Sequence, residues 1–206
     1  MAKITKPALG ANLDAPQVIV IAGPNGAGKT TYAEALLEAL KVEHFVNADR
    51  IAQGLSGLRP ESVALSAGRI MLERLRQLAD ERQSFGFETT LSSRSFATFL
   101  RRLAAVGYDV HIFYLMLPSA AESLRRVKRR VKMGGHDIPP EVIFRRFSRS
   151  ARNLFTLYIP LANTWKISEN SEWAVPPQLI AGGAKEVLEI RDEIKWQLLQ
   201  HIATNE

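Results

Sequence analysis

"QVIVIAGPNGAGKTT", residues 17–31, decides the architecture. Its opening is an unbroken apolar run rich in Val and Ile, the composition of a strand buried on both faces. The following residues match G-x-x-x-x-G-K-[ST] at Gly23, Gly28, Lys29 and Thr30. A helix then begins at about Gly28, with Ala33, Leu36, Leu37 and Leu40 spaced i, i+3, i+4, i+7. Strand, glycine-rich loop and helix together form a phosphate cradle. Backbone N–H groups turn towards anionic oxygens, and the helix N-terminus adds partial positive charge. Gly23, Pro24, Asn25, Gly26, Ala27, Gly28, Lys29, Thr30 and Thr31 are therefore expected to hold ATP. Lys29 would reach the β- and γ-phosphates, and the Thr30 hydroxyl would bind Mg²⁺.

Downstream, strands and helices alternate. Short apolar runs at "HFVNA", "SFGFETTL", "DVHIFYLML" and "TWKIS" read as strands, and "QLIAG" as a possible sixth. Helical stripes lie between them, and a last helix is expected from about Ala184. This order predicts an α/β, three-layer P-loop NTPase fold. It would have a parallel sheet of five to six strands, helices on both faces, and an arginine-rich helical lid over about 125–152. The 206 residues, 46% apolar and 23% charged, suit a single domain over 1–206. No cysteine is present, which excludes disulfides and thiolate metal sites. The first sixteen residues lack the apolar core of a signal peptide, and no apolar run is long enough to span a bilayer. A cytoplasmic protein without membrane partners is expected.

In such folds chemistry gathers beyond the carboxyl ends of the strands. Asp49, in "VNADRIA", follows the second strand. It suits a base that takes the proton of an acceptor hydroxyl during phosphoryl transfer, and equally an N-cap for the helix after it. Glu88 lies within the third strand, where an acid is unusual, with Thr89, Thr90 and Ser92 just beyond it. Glu88 would hold substrate hydroxyls or a water on Mg²⁺. No D-x-x-G or N-K-x-D follows the later strands, so ATP is favoured over GTP. The fourth strand runs into Pro118 and Ser119 rather than an acid, which favours a small kinase over a mechanical ATPase.

Residues 125–152 hold ten Lys or Arg against two acids, a local charge of +8 in a chain whose total is +6, so the remainder carries −2. "GGHDIPP" breaks this segment into two helices, with arginines on both arms. A glycine-hinged hairpin of this kind can close over a triphosphate, exclude water and neutralise the transferring group. Arg126, Arg130 and Arg146 are the expected lid cations, and His136 in the hinge is placed to touch phosphate or substrate. The rival reading is a nucleotide-gated nucleic-acid-binding protein. Phe144 and Phe147 are the only aromatics in the segment, which leaves little for base stacking.

"GPNGAGKTT", "NADRIA", "FETTLS" and "RVKRRV", continued by "GGHDIPPEVIFRRFSRSARNLF", together resemble the zeta toxin family of P-loop kinases. The likeness is to its short stand-alone bacterial branch and spans about residues 17–171. It implies an ATP-dependent phosphotransferase acting on a small-molecule hydroxyl, as in relatives that phosphorylate UDP-N-acetylglucosamine. It further implies Asp49 as base, Lys29 and Thr30 on ATP and Mg²⁺, Glu88 and Thr90 along the sugar site, and a lid role for Arg126, Arg130 and Arg146. Asn170 is similar to a residue near the adenine. Ser92 stands where the toxins carry arginine, and Glu169 where relatives carry Asp. A toxin-like subunit silenced by an antitoxin protein stays open as a third reading, with no residue of the chain marking that partner.

Overall fold

A computed structural model describes residues 15–135, 137–171, 175–184 and 187–204. Seven strands and seven α-helices follow in order: β1 (Gln17–Ala22), α1 (Lys29–Leu40), β2 (His44–Val46), α2 (Ala48–Leu55), α3 (Ala64–Asp80), β3 (Phe85–Thr89), α4 (Ser95–Ala105), β4 (Asp109–Met116), α5 (Ala120–Lys132), α6 (Pro140–Asn153), β5 (Thr164–Glu169), β6 (Gln178–Ala184), β7 (Val187–Ile190) and α7 (Glu193–Thr204). They form one sheet ordered β2-β3-β1-β4-β5-β6-β7. The first five strands are parallel, and β6 and β7 are antiparallel.

β1 lies mid-sheet between β3 and β4, and Val18 through Ala22 are fully buried. Burial on both faces explains why its sequence does not alternate. Val18 and Val20 join Phe85, Phe87, Val110 and Ile112 on one side. Ile19 and Ile21 meet Leu36 and Leu37 of α1 on the other. Parallel register sets Ile21 beside Glu88 and Ala22 beside Thr89, so the end of β3 stands level with the start of the loop after β1.

The basic segment is a helical hairpin, α5 and α6, with a small core of Val127, Ile138 and Ile143. Phe147 packs on Ala27, Leu115 and Leu117 at its root. One π-helical turn, Leu154–Tyr158, continues α6.

The C-terminal part corrects the sequence reading. A seventh strand, β7, lies where the last helix was expected to begin, and that helix starts at Glu193. The sheet is therefore parallel only in its first five strands. "VLEI", residues 187–190, includes the helix formers Leu188 and Glu189, but the open edge of β6 offers it backbone pairing along Ala181–Ala184, and pairing overrides local propensity.

His111 of β4 is fully buried between neighbouring strands. Gln17 Nε2 donates to the Ala15 carbonyl, so Gln17 Oε1 accepts from His111 Nε2 at 2.5 Å, and His111 Nδ1 accepts from the Thr164 hydroxyl at 2.7 Å. Burial pushes its pKa down to about 4, opposed in part by the Asp109 carboxylate. Between that value and about 6.5 the unfolded chain takes up a proton that the fold refuses. The neutral imidazole's contribution is thus complete above about pH 6.5 and lost as pH falls towards 4. From pH 7 to pH 4 the unfolding free energy should drop by about 3 kcal/mol more in the unmutated protein than in His111→Gln, measured by urea titration.

Candidate functional site

The loop between β1 and α1 bends where only glycine fits. At Gly23 (φ 139°) a Cβ would stand 2.2 Å from the Leu115 carbonyl oxygen. Gly28 (φ 81°) precedes α1 and would bring a Cβ 2.5 Å from Asn170 Nδ2. The first turn of α1 contains no acid, so its positive end is not offset from within the helix. Lys29 is buried; its Nζ donates to the Pro24 carbonyl at 2.9 Å and lies 3.7 Å from Glu88 Oε1. Burial lowers the Lys29 pKa, and the nearby Arg130 adds to this, while the Glu88 and Asp49 carboxylates work in the opposite direction. Asn25 is buried with its side-chain oxygen unpaired, and its carbonyl accepts from the Ser123 hydroxyl of α5 at 2.5 Å.

Glu88 is the centre of the site. Its Oε2 accepts from the Thr30 hydroxyl and from Asn47 Nδ2, each at 2.7 Å. The oxygen of the same Asn47 amide caps α2, accepting from the N–H groups of Asp49 at 2.8 Å and Arg50 at 3.1 Å. Asn47, not Asp49, is therefore the N-cap, and it joins α2 to Glu88. The sequence held the signal: Asn directly before a helical start is a favoured cap. Asp49 occupies the first turn of α2 and is exposed on the cleft wall. Beyond Glu88, the Thr90 and Ser92 hydroxyls lie 2.8 Å apart. The loop that carries them is held from α6: Asn153 Nδ2 donates to the Leu91 carbonyl at 2.7 Å, and Tyr158 from the following turn donates to that of Ser93 at 2.6 Å.

One cleft of about 1330 Å³ gathers Asn25, Gly26, Gly28, Lys29, Thr30, Thr31, Asp49, Glu88, Thr90, Arg126, Arg130 and Arg146 on its walls. Gly23, Pro24, Ala27 and Asn170 stand behind it as support. His136 lies outside the described residues. Five of the ten basic-segment cations line the cleft: Arg125, Arg126, Arg129, Arg130 and Arg146. Lys128, Lys132, Arg145 and Arg149 are exposed away from it. Arg126 pairs with Glu122 at 2.9 Å, reaches the Gly26 carbonyl at 3.4 Å, and donates to the Ser171 carbonyl. Burial lowers the Arg146 pKa, with Arg145 adding to this and Asp49 opposing it. Arg69 of α3, Phe96 of α4 and Ser93 of the loop after β3 also line the cleft. Arg69 and Phe96 were missed because α3 and α4 carry no local motif there. Among the described residues no helix is long and apolar enough to cross a membrane.

A glycine-rich loop at the edge of a central parallel strand, roofed by a helical hairpin, defines a P-loop protein of kinase-like fold. The family model described as an AAA domain (AAA_33) matches residues 18–154, more than half of the chain, and the chain belongs to that family. An uncharacterized protein of Haemophilus influenzae is 28% identical over 131 residues, covering 64% of this chain and 92% of its own. The AvrRxo1-ORF1:AvrRxo1-ORF2 complex, solved with sulphate ions, superposes with a TM-score of 0.71 at 15% identity over 92% of this chain. The same complex with ATP gives 0.68 at 17% identity. This chain spans 64% of that longer one. The PezAT chromosomal toxin-antitoxin system of Streptococcus pneumoniae gives 0.59 at 16% identity, over 97% of this chain and 82% of that one. At these identities the likeness is one of fold.

Asn47→Ala removes both the cap and a Glu88 partner. It should cost about 2 kcal/mol of unfolding free energy, read by chemical denaturation.

Proposed function

We propose that the protein is an ATP-dependent small-molecule kinase that transfers the γ-phosphoryl group to a hydroxyl. One observation carries this reading: Lys29, Thr30, Glu88, Asp49 and three lid arginines face a single cleft beside the phosphate loop. In this scheme the acceptor oxygen attacks the γ-phosphorus as its proton passes to Asp49. The bond to the bridging oxygen breaks, leaving ADP. Lys29, Arg130 and Arg146 offset the charge that spreads over the transferring group. Arg126, already tied to the loop, helps to roof the phosphates.

Mg²⁺ fits the oxygen donors on hand, the Thr30 hydroxyl and the Glu88 carboxylate, 2.7 Å apart at the start of α1. Bound there with the phosphates, it would neutralise their charge. Thr90, Ser92 and Ser93 offer hydroxyls to a polar acceptor. The zeta toxin resemblance makes a nucleotide sugar such as UDP-N-acetylglucosamine the first acceptor to test, in a cytoplasmic setting. A small protein retained in stoichiometric amount through purification from native cells would add an antitoxin to this reading. Arg126, Arg130 and Arg146, part-sheltered on the cleft wall, favour a lid over a nucleic-acid surface.

Incubation with ATP, Mg²⁺ and a panel of UDP-sugars and nucleosides should yield a product heavier by one phosphate in mass spectrometry. Asp49→Asn should slow that reaction by about 10²–10⁴-fold while ATP affinity stays within about twofold. Lys29→Met should weaken ATP binding itself. Equal product from the unmutated protein and Asp49→Asn would overturn the role of Asp49. Bound ATP with no product across the panel would overturn the nucleotide-sugar assignment.

A further inference from the structure

The matched family region ends at residue 154, yet the phosphate loop leans on residues beyond it. Asn170, just after β5, donates through Nδ2 to the Ala27 carbonyl at 2.8 Å, and its own N–H donates to the Met116 carbonyl at 3.3 Å. Next to it, the Ser171 carbonyl accepts from Arg126, which also reaches the Gly26 carbonyl. The Ala27 carbonyl is thereby held on the side of Asn170, which stands behind the cleft wall. In a planar trans peptide the N–H opposes the C=O. Holding the Ala27 carbonyl outward therefore turns the Gly28 N–H towards the cleft that Gly28 lines. The Ala27 N–H closes the loop on the Pro24 carbonyl at 3.3 Å.

Glu169 decides where Asn170 and Ser171 stand. One carboxylate oxygen accepts from the Ser171 hydroxyl, and the other meets Lys195 Nζ at 2.7 Å. Lys195 sits in the first turn of α7 and is steadied by Asp192 at 3.2 Å and by Gln178 Oε1 at 3.4 Å. The lysine and glutamate side chains are 29% and 16% exposed, sheltered beyond the usual surface ion pair. A chain of contacts thus runs from the C-terminal helix through Lys195, Glu169 and Asn170–Ser171 to the phosphate loop.

We propose that Lys195 is a positioning residue for nucleotide phosphates, holding the 169–171 segment against the loop so that the Gly28 N–H faces the cleft. This rests on the nucleotide-binding part of the function proposed above. Lys195 itself touches no substrate. Its effect should therefore reach any triphosphate, whatever group hangs from it.

Titration calorimetry of the full chain, well below its melting temperature, tests this with two probes, MgATP and magnesium tripolyphosphate. Lys195→Met should weaken both in parallel, by about tenfold. Lys195→Arg should bind both like the unmutated protein. Should Lys195→Met not fold, Glu169→Gln, which keeps the side-chain shape and drops the charge, is expected to show the same parallel loss. Unchanged affinity in the folded variant would overturn the proposal, as would a loss confined to MgATP. An unmutated protein that binds neither probe would remove the nucleotide reading and this inference with it.

Discussion

A single carboxylate, that of Glu88, organises the site. It stands in β3 beside the central strand, with its side chain 12% exposed. It faces the Lys29 ammonium, takes the Thr30 hydroxyl, and takes the amide of Asn47. Lys29 is a cation at 7% exposure, and such a charge is tolerated only when it is paired and hydrogen-bonded. Removing one member of a buried pair costs about 3–5 kcal/mol, because the other charge is left stranded. Glu88 thus makes a buried lysine possible and aligns the first turn of α1. Through Asn47 it also fixes the angle at which α2 carries Asp49 past the cleft.

The roof answers to a different constraint. Arginines concentrated on two helices repel one another unless something else holds the helices together. Val127, Ile138 and Ile143 supply that hold inside the hairpin, and Phe147 anchors its root beneath the phosphate loop. Arg126 and Ser123 then bond directly to loop carbonyls, so the hairpin is docked on the loop and not merely poised above it. α6 carries a second connection. Arg146 and Asn153 are seven residues apart, two helical turns, and so share a face. One lines the cleft and the other grips the loop bearing Thr90 and Ser92. One helix therefore serves both the lid and the hydroxyl-bearing loop.

Much of this was legible beforehand. The buried strand, the glycine pattern and the helix after it are local features, and each is encoded within a few residues of itself. The same holds for the apolar stripes of the helices and the glycine–proline break in the basic segment. Asn47 carried a readable capping signal that the acid two residues on concealed. β7 was not legible, because Leu188 and Glu189 suit a helix by propensity and join a strand only when the edge of β6 is there to pair with it.

By itself, then, the sequence determined the alternation of strands and helices, the shape of the phosphate loop and the location of the cations. These depend on period, on glycine's access to positive φ, and on charge counted along the chain. Only the tertiary structure decided which arginines turn inward, that both Glu88 oxygens face the phosphate loop, and that a lysine in the last helix reaches the loop through Glu169. The Glu88 contacts, for one, depend on partners 58 and 41 residues away, and on a strand register that no short window contains. Hydrogen bonds and ion pairs act over about 3 Å in space, without regard to distance along the chain.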